Sequence, residues 1–198
     1  MRLILRSPTA VAGLIVIGAT ILVAVLAPWL APYDYREQLF EGLTLEGAPL
    51  PPGGDFVFGT DTLGRDLLSR MMYGARTSLI VGVVSNGAAV LIGTLLGAIA
   101  GYVRGWLGTA IMRFTDLMMA FPALLLAIAL AAIIGPSFWI VALVIALVNW
   151  VQVARVVYTE TTALAEREYV EAARALGAHH LRIVGVHILP HLVPTMLV

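Results

Sequence analysis

The 198-residue chain is 60% hydrophobic and only 12% charged, and its mean hydropathy is +0.95. A soluble domain carries about twice that charged fraction, so the composition excludes an ordinary water-soluble globular protein. The net charge of zero argues against a basic nucleic-acid-binding protein, and the lack of cysteine excludes disulfides, thiolate nucleophiles and cysteine-ligated metals. The composition therefore predicts an all-α protein, a polytopic bundle of transmembrane helices.

Four apolar stretches are long enough to cross the hydrocarbon core of a bilayer, which takes about 20 residues. They are residues 10–30, residues 79–101, roughly residues 117–134, and residues 138–157. We expect the first to be a retained span, since it is longer than the apolar region of a usual signal peptide. Pro122 is expected to kink the third span near its cytoplasmic end.

The arginines predict an orientation. All 12 basic residues are arginine, and Arg2 and Arg6 precede the first span. The positive-inside rule therefore places the N-terminus in the cytoplasm. Alternation of the spans then places residues 31–78 outside the cytoplasm and everything after Tyr158 inside it.

The outer segment divides into two parts. Residues 32–54 are rich in proline, glycine and acids, and this predicts an extended loop. Residues 63–75 predict an amphipathic helix that lies in the membrane interface and leads into the second span; a solvated helix packed on neighbouring loops is the alternative. The face predicted to be polar comprises Arg65, Asp66, Ser69 and Arg70.

Two sets of residues within the spans are candidates for packing or for a pathway. Small residues recur every four positions in the second span, and they allow another backbone to approach closely or, alternatively, form a substrate groove. This small-residue stripe comprises Ser85, Ala89, Gly93, Gly97 and Gly101. Asn149 and Gln152 lie at membrane depth in the fourth span, where they either form interhelical hydrogen bonds or line a translocation pathway.

The segment that follows the fourth span predicts an amphipathic helical hairpin. Its first helix has an apolar face of Tyr169, Ala172, Ala173 and Leu176. On the polar face, Glu171 is spaced to pair with Arg167 and Arg174. Gly177 suits the helix C-terminus, and a second helix over residues 179–189 is expected to stop at Pro190. Because no bilayer buries such a hairpin, it is expected to bind a cytoplasmic partner.

These residues carry a family resemblance. Glu171-Ala172-Ala173, then Gly177, then His187-Ile188-Leu189-Pro190 resembles the "EAA loop" of binding-protein-dependent ABC importer permeases. The stretches FGTDTLGRD at residues 58–66 and YGARTSL at residues 73–79 are similar to the second (C-type) permease subunit of dipeptide, oligopeptide and nickel importers. The resemblance covers nearly the whole chain.

The resemblance implies the type I ABC importer permease fold with about six spans, of which this chain would hold about four. The implied organisation is an N-terminal region of residues 1–78 and a transmembrane domain of residues 79–198 that is incomplete at its C-terminus. A cytoplasmic coupling loop would cover about residues 159–190. The residues that would dock on the ATPase are Tyr169, Glu171, Ala172, Ala173, Arg174, Leu176 and Gly177.

By the same resemblance the chain is a non-catalytic permease in the inner membrane of a prokaryote, surrounded by lipid. Its implied partners are a homologous permease in a heterodimer, two ATPase subunits and an extracytoplasmic solute-binding protein. No cofactor is expected on this chain, because ATP and Mg²⁺ would bind the ATPases. Peptides are the expected substrate, with a nickel chelate or glutathione as alternatives.

Two other classes of protein fit the sequence less well. An enzyme is disfavoured because the sequence has no H-E-x-x-H motif and no P-loop. The four histidines, His179, His180, His187 and His191, are expected to make polar contacts and not to bind a metal. A secondary transporter would need ionisable residues near the bilayer midplane, and the predicted spans lack them.

Overall fold

A computed structural model describes residues 7–135 and 137–196, and this part of the chain folds into helices, turns and irregular loops with no named strand. The first five long helices are α1 (Pro8–Leu30), α2 (Leu67–Val103), α3 (Gly105–Met119), α4 (Ala123–Ile134) and α5 (Phe138–Leu164). They are followed by α6 (Glu168–Ala175), α7 (His180–Arg182), a π-helix (Ile183–Ile188) and α8 (Leu189–Met196). The predicted all-α fold is confirmed.

Three helices, α1, α2 and α5, are long and apolar enough to cross a membrane. The pair α3 and α4 passes the same test together but is bent by 82° at a short break, so the described residues hold three or four candidate spans. The expectation of a merely kinked third span is wrong. Pro122 has no N–H to donate and disfavours a helical residue before it, so one helix ends at Met119 and another begins at Ala123.

The chain divides into two compact units between Ile80 and Val81. In the first unit, α2 begins at Leu67 and continues without interruption, so the helix predicted over residues 63–75 begins later than expected and leads into the second span as predicted. Asp66 and Ser69, which were assigned to its polar face, are buried at 1% and 0% exposure. The Asp66 carboxylate accepts hydrogen bonds from the backbone N–H (2.7 Å) and the hydroxyl (2.6 Å) of Ser69. Asp66 therefore caps the N-terminus of α2 through its side chain, which is buried.

The loop that precedes α2 is irregular but closely held together. The Thr60 hydroxyl donates to the carbonyl of Gly42 (2.5 Å) and accepts from the backbone N–H of Leu50 (2.8 Å). The rings of Tyr33 and Phe56 stack with centroids 5.3 Å apart. A 3₁₀ turn occupies Phe40–Gly42. The segment predicted as an extended loop therefore has a defined shape.

In the second unit, the small-residue stripe of α2 lies against the backbone of α5. A Cβ atom built on Gly93 would lie 2.7 Å from the carbonyl oxygen of Trp150, and one on Gly101 would lie 2.8 Å from that of Tyr158. A Cβ on Gly97 would overlap the carbonyl oxygen of Ala154. Ser85 and Ala89, the two remaining members of the stripe, are buried at 0% and 1% exposure. Only glycine permits so close a backbone approach at these three positions.

Candidate functional site

The strongest candidate site is the helical hairpin that follows α5, and a buried core anchors it. Val170 of α6 is fully buried, as are Ile183 and Ile188 of the π-helix and Leu192 of α8. They pack together with Ala98, Tyr102, Val157 and Ala165, which belong to the ends of α2 and α5. Fully burying one such aliphatic side chain stabilises the fold by about 1.5–3 kcal/mol. The hairpin is therefore firmly attached to two of the spans.

The opposite face of α6 is exposed and partly apolar. Tyr169 is 40% exposed and Leu176 is 88% exposed, and Ala172 lies between them on the same surface. We call this surface, together with Glu171 and Arg174, the α6 face. Of the seven residues that the sequence assigned to docking, six are exposed, and Ala173 is half-buried against the core described above. Exposed leucine and tyrosine beside alanine form a surface suited to a protein partner.

The charged residues of α6 are not arranged as the sequence predicted. Among the described residues no ion pair joins Glu171 to Arg167 or Arg174, so both predicted pairs are wrong. The Arg174 guanidinium instead lies 5.7 Å from the centre of the Tyr102 ring, where the face of the ring attracts a cation. The hydroxyl of Tyr102 is 2.9 Å from Nδ1 of His180. Tyr102 therefore connects the end of α2 to both helices of the hairpin.

A cavity of about 650 Å³ opens beside this arrangement, lined by Tyr102, Val103, Arg104, Ala165, Glu166, Glu171, Arg174 and His180. Arg104 donates to the Glu166 carboxylate (3.0 Å) and to the carbonyl of Thr162 (3.2 Å). This exposed ion pair contributes little stability by itself. Its position nevertheless joins the turn after α2 to the turn before α6. The cavity has two carboxylates among the residues that line it. Glu166 is paired with Arg104, whereas Glu171 has no ion-pair partner within the described part of the chain.

The turn after α6 depends on Gly177, whose φ angle is 78°. Its N–H donates to the carbonyl of Arg174 (3.0 Å), and the N–H of Ala178 donates to that of Ala173 (3.1 Å). These two bonds form a Schellman motif, which ends a helix with a glycine in the left-handed region. The chain then reverses towards α7.

The second helix of the hairpin does not stop at Pro190. Helical structure continues from His180 to Met196 through the π-helix Ile183–Ile188, so the predicted end before residue 190 is wrong. The wider π-turn shifts the hydrogen-bond register, and Pro190 then falls in the first turn of α8, where a missing N–H costs little. The helix can therefore continue and bury Leu192.

The two candidate pathway residues have different surroundings. The Asn149 side chain donates to the Asn86 side chain of α2 (3.2 Å), which forms an interhelical hydrogen bond. Gln152 is exposed and lines a separate cavity of about 130 Å³ with residues from α3, α4 and α5. The structure thus does not bring the two amides into one site.

Sequence reasoning missed the link between α3 and α5. Arg155 donates to the Asp116 carboxylate at 2.6 Å, and the rings of Phe114 and Trp150 stack with centroids 6.0 Å apart. The pair could have been predicted, because Asp116 and Arg155 carry opposite charges and lie at the same end of the third and fourth predicted spans. This pair joins α3 to α5.

The histidines make local contacts with neighbouring residues. Besides the contact of His180 with Tyr102, the ring of His191 stacks on that of Tyr169 with centroids 5.6 Å apart. Nδ1 of His179 accepts from the backbone N–H of Leu181 (3.3 Å) at the start of α7. In the described residues, histidine and acidic side chains form no group of three or more suited to hold a metal.

Several apolar helices of spanning length, one apolar helix pair bent at a short break and an exposed amphipathic helix together define a multi-pass helical membrane protein. The family model described as "Binding-protein-dependent transport system inner membrane component" matches residues 93–198, and the chain belongs to this family. A second model, "N-terminal TM domain of oligopeptide transport permease C", matches residues 1–52. The helical hairpin after α5 and the small-residue stripe from Gly93 onward lie within the first match.

Curated relatives are similar over nearly the whole chain. The dipeptide transport system permease protein DppC of Alkalihalophilus pseudofirmus is 42% identical over 94% of this chain and 60% of its own length. The di/tripeptide permease protein DppC of Pseudomonas aeruginosa is 40% identical over 96% of this chain and 63% of its own. The glutathione permease protein GsiD of Pectobacterium atrosepticum is 38% identical over 100% of this chain and 64% of its own. The chain thus spans less than two thirds of the length of these relatives.

Proposed function

We propose that this chain is the membrane-spanning permease part of an ATP-driven importer that moves di- or oligopeptides across the cytoplasmic membrane. The observation that carries the proposal is the α6 face, which is exposed and partly apolar while the other side of α6 is anchored on the spans through Val170. A surface of this kind transmits force from a partner only if its anchor is rigid, and the fully buried core provides that anchor.

In this proposal the chain performs no chemistry and binds no cofactor. ATP and Mg²⁺ bind two ATPase subunits, one of which docks on the α6 face. A homologous permease completes the pathway as a heterodimer, and an extracytoplasmic binding protein delivers the substrate. The family description, which specifies binding-protein-dependent transport, supports the binding protein as a partner.

The proposed mechanism is alternating access driven from the α6 face. Closure of the ATPase subunits displaces α6, and the displacement passes through Val170 and Tyr102 to the end of α2. It passes to α5 through Val157, and the Arg155–Asp116 pair carries it on to α3. Each step follows direct contacts between packed elements, which allow a small shift at a docking surface to move whole helices.

The names of the relatives support peptides as the substrate, since they include dipeptide, di/tripeptide and oligopeptide permeases. Glutathione is the second candidate, because one relative that covers the whole chain is a glutathione permease. Mass spectrometry of the ligand that co-purifies with the binding protein of the assembled importer distinguishes them. Recovery of short peptides supports the proposal, and recovery of glutathione alone overturns the peptide assignment.

The proposed orientation places the N-terminus and α6 in the cytoplasm. Because the chain has no cysteine, single cysteines at Glu46 and Arg174 can be labelled without background. A membrane-impermeant reagent applied to intact cells should label the cysteine at residue 46 and not the one at residue 174 until the cells are opened. Labelling of both in intact cells would contradict the orientation.

A further inference from the structure

A second cavity, of about 430 Å³, lies in the first unit between the outer loop and the first turns of α2. Its lining residues are Tyr35, Arg36, Arg65, Arg70, Tyr73, Gly74, Thr77 and Ser78. Five of them come from one face of α2, spaced three to four residues apart from Arg70 onward, as a helix requires. The cavity is therefore a groove along the start of the second span, closed on one side by the loop.

The groove carries an excess of positive charge. Arg65 and Arg70 share a single carboxylate: Oδ2 of Asp61 lies 2.8 Å from the Arg65 guanidinium and 2.9 Å from that of Arg70. One negative charge therefore offsets two positive charges. Arg36 adds a third guanidinium, and among the described residues no carboxylate forms an ion pair with it. The carboxylate of neighbouring Asp34 accepts from the backbone N–H of Arg36 (2.8 Å) and does not line the groove.

The third guanidinium is held in place by aromatic residues. Nε of Arg36 donates to the hydroxyl of Tyr35 (2.7 Å), and its guanidinium lies 5.0 Å from the centre of the same ring. Tyr35 in turn stacks on Tyr73 of α2 with ring centroids 4.3 Å apart. Arg36 is therefore positioned at the groove although its side chain is exposed, and this lowers the entropy lost when it binds a ligand.

The groove lies where the chain enters the membrane. Thr77 and Ser78 are the last polar residues before the apolar stretch of residues 79–101, and tyrosines are enriched at this level of membrane proteins. Gly74 leaves the groove open towards its surroundings, since a Cβ atom there would meet nothing within 4 Å. Met71, on the same helix, is 61% exposed. Positive charge, hydroxyl donors and exposed apolar surface thus occur together at headgroup depth.

We propose that this groove binds the phosphate of a phospholipid headgroup. The guanidiniums of Arg36, Arg65 and Arg70 supply the charge, and the hydroxyls of Thr77 and Ser78 donate to the phosphate oxygens. Arginine suits this role because its planar group can bind two phosphate oxygens at once. A lipid is favoured over a free anion because Thr77 and Ser78 are followed directly by the apolar stretch of residues 79–101, beside which acyl chains would lie.

The test measures binding of soluble, short-chain probes to the full 198-residue chain in detergent. The probes are dihexanoyl phosphatidylglycerol, dihexanoylglycerol, which lacks the phosphate, and inorganic phosphate. Arg36→Gln and Arg70→Gln remove charge from the groove, whereas Gly74→Leu fills it without a change in charge. Arg76→Gln is the matched control, because Arg76 is exposed on the same helix and does not line the groove.

Each groove variant is expected to weaken binding of the phosphatidylglycerol probe by about tenfold, while Arg76→Gln changes it less than about twofold. Arg36→Gln and Gly74→Leu leave the Asp61 ion pairs intact, so they test the groove even where Arg70→Gln unfolds the loop. Equal losses in Arg76→Gln, or no loss in the groove variants, would overturn the site. Inorganic phosphate binding as tightly as the lipid, with the same dependence on the variants, would overturn the lipid assignment.

Discussion

Gly97 of α2 packs so closely against Ala154 of α5 that a Cβ atom at residue 97 would overlap the carbonyl oxygen of residue 154. The Cβ would also lie 2.9 Å from Cβ of Val157, which belongs to the core that anchors the helical hairpin. Neither a carbonyl oxygen nor a β-carbon can rotate away. The contact between the two spans and the anchor of α6 therefore depend on the same glycine.

Replacing Gly97 with leucine is expected to separate α2 from α5. Overpacking of this kind costs about 1–3 kcal/mol, and more where backbone atoms obstruct the new side chain. Gly87→Leu is the matched control, because a Cβ atom there meets nothing within 4 Å on the same helix, and leucine has the higher helix propensity. Thermal denaturation in detergent should show a clear loss of stability for Gly97→Leu and none for Gly87→Leu. Equal stability of the two variants would contradict the packing described here.

Gly177 should tolerate asparagine better than leucine. A Cβ atom at this position meets nothing within 4 Å, but the φ angle of 78° strains any residue with a side chain. Gly177→Leu is expected to lower the free energy of unfolding by about 1–2 kcal/mol, and Gly177→Asn by less, because asparagine adopts the left-handed region more readily. Hydrogen exchange of α6 and of the turn after it measures the difference. Identical exchange in the two variants would show that backbone strain does not set the cost.

The loop before α2 should lose stability in acid because of Asp61. Burial raises the pKa of its carboxyl, but hydrogen bonds from the backbone and side chain of Arg65, the backbone of Leu63 and the Arg65 charge together lower it below the ordinary value of 3.8. As the pH falls, the Asp61 carboxyl therefore binds a proton at a higher pH in the unfolded chain than in the folded chain. The stabilisation is complete above about pH 4 and is lost as the pH falls through the lowered pKa.

Limited proteolysis of the loop between pH 7 and pH 3 tests this prediction. Asp61→Asn should open the loop at neutral pH, at a cost of about 2 kcal/mol for the lost charged hydrogen bonds, and should weaken the dependence on acid. Asp55→Asn, at an exposed position of the same loop, is the control and should resemble the unaltered chain. A steep acid dependence that persists in Asp61→Asn would assign the effect to another group.

The membrane class and the all-α fold could be predicted from the sequence because long apolar runs have few alternatives in a bilayer. The bounds of the elements could not. Helix α2 begins at Leu67 because Asp66, which forms an isolated β-bridge with Thr60 of the preceding loop, caps the helix by accepting hydrogen bonds from Ser69. Pro122 breaks a helix and Pro190 does not, and the difference comes from the π-helix before Pro190, which periodicity does not reveal.

For the candidate site, the exposed residues of α6 could be predicted from the sequence. The residues that anchor α6 on the spans could not. The alanine-rich face was visible from its spacing, but the anchor is Val170, together with side chains that lie far before and after it in the chain. Contacts between distant segments leave no local pattern. The same reason explains why Arg174 contacts Tyr102 and not Glu171, its neighbour on the helix.

The central claim is that the α6 face docks an ATPase subunit, and Glu171 is its best single test. The carboxylate is exposed and, among the described residues, has no ion-pair partner, so it can meet a basic group of the partner. Glu171→Lys reverses that charge without altering a span or the buried core. Glu160→Lys makes the same charge change at an exposed position of α5 and serves as the control.

The measurement is co-purification of the ATPase subunits with the assembled importer, followed by transport in reconstituted vesicles. Glu171→Lys is expected to weaken docking by about 2 kcal/mol or more, typical of a reversed contact at an interface, and to reduce transport in proportion. Membrane insertion should be normal in both variants, and Glu160→Lys should retain its ATPase. Full ATPase retention and full transport in Glu171→Lys would contradict the claim that the α6 face is the docking surface.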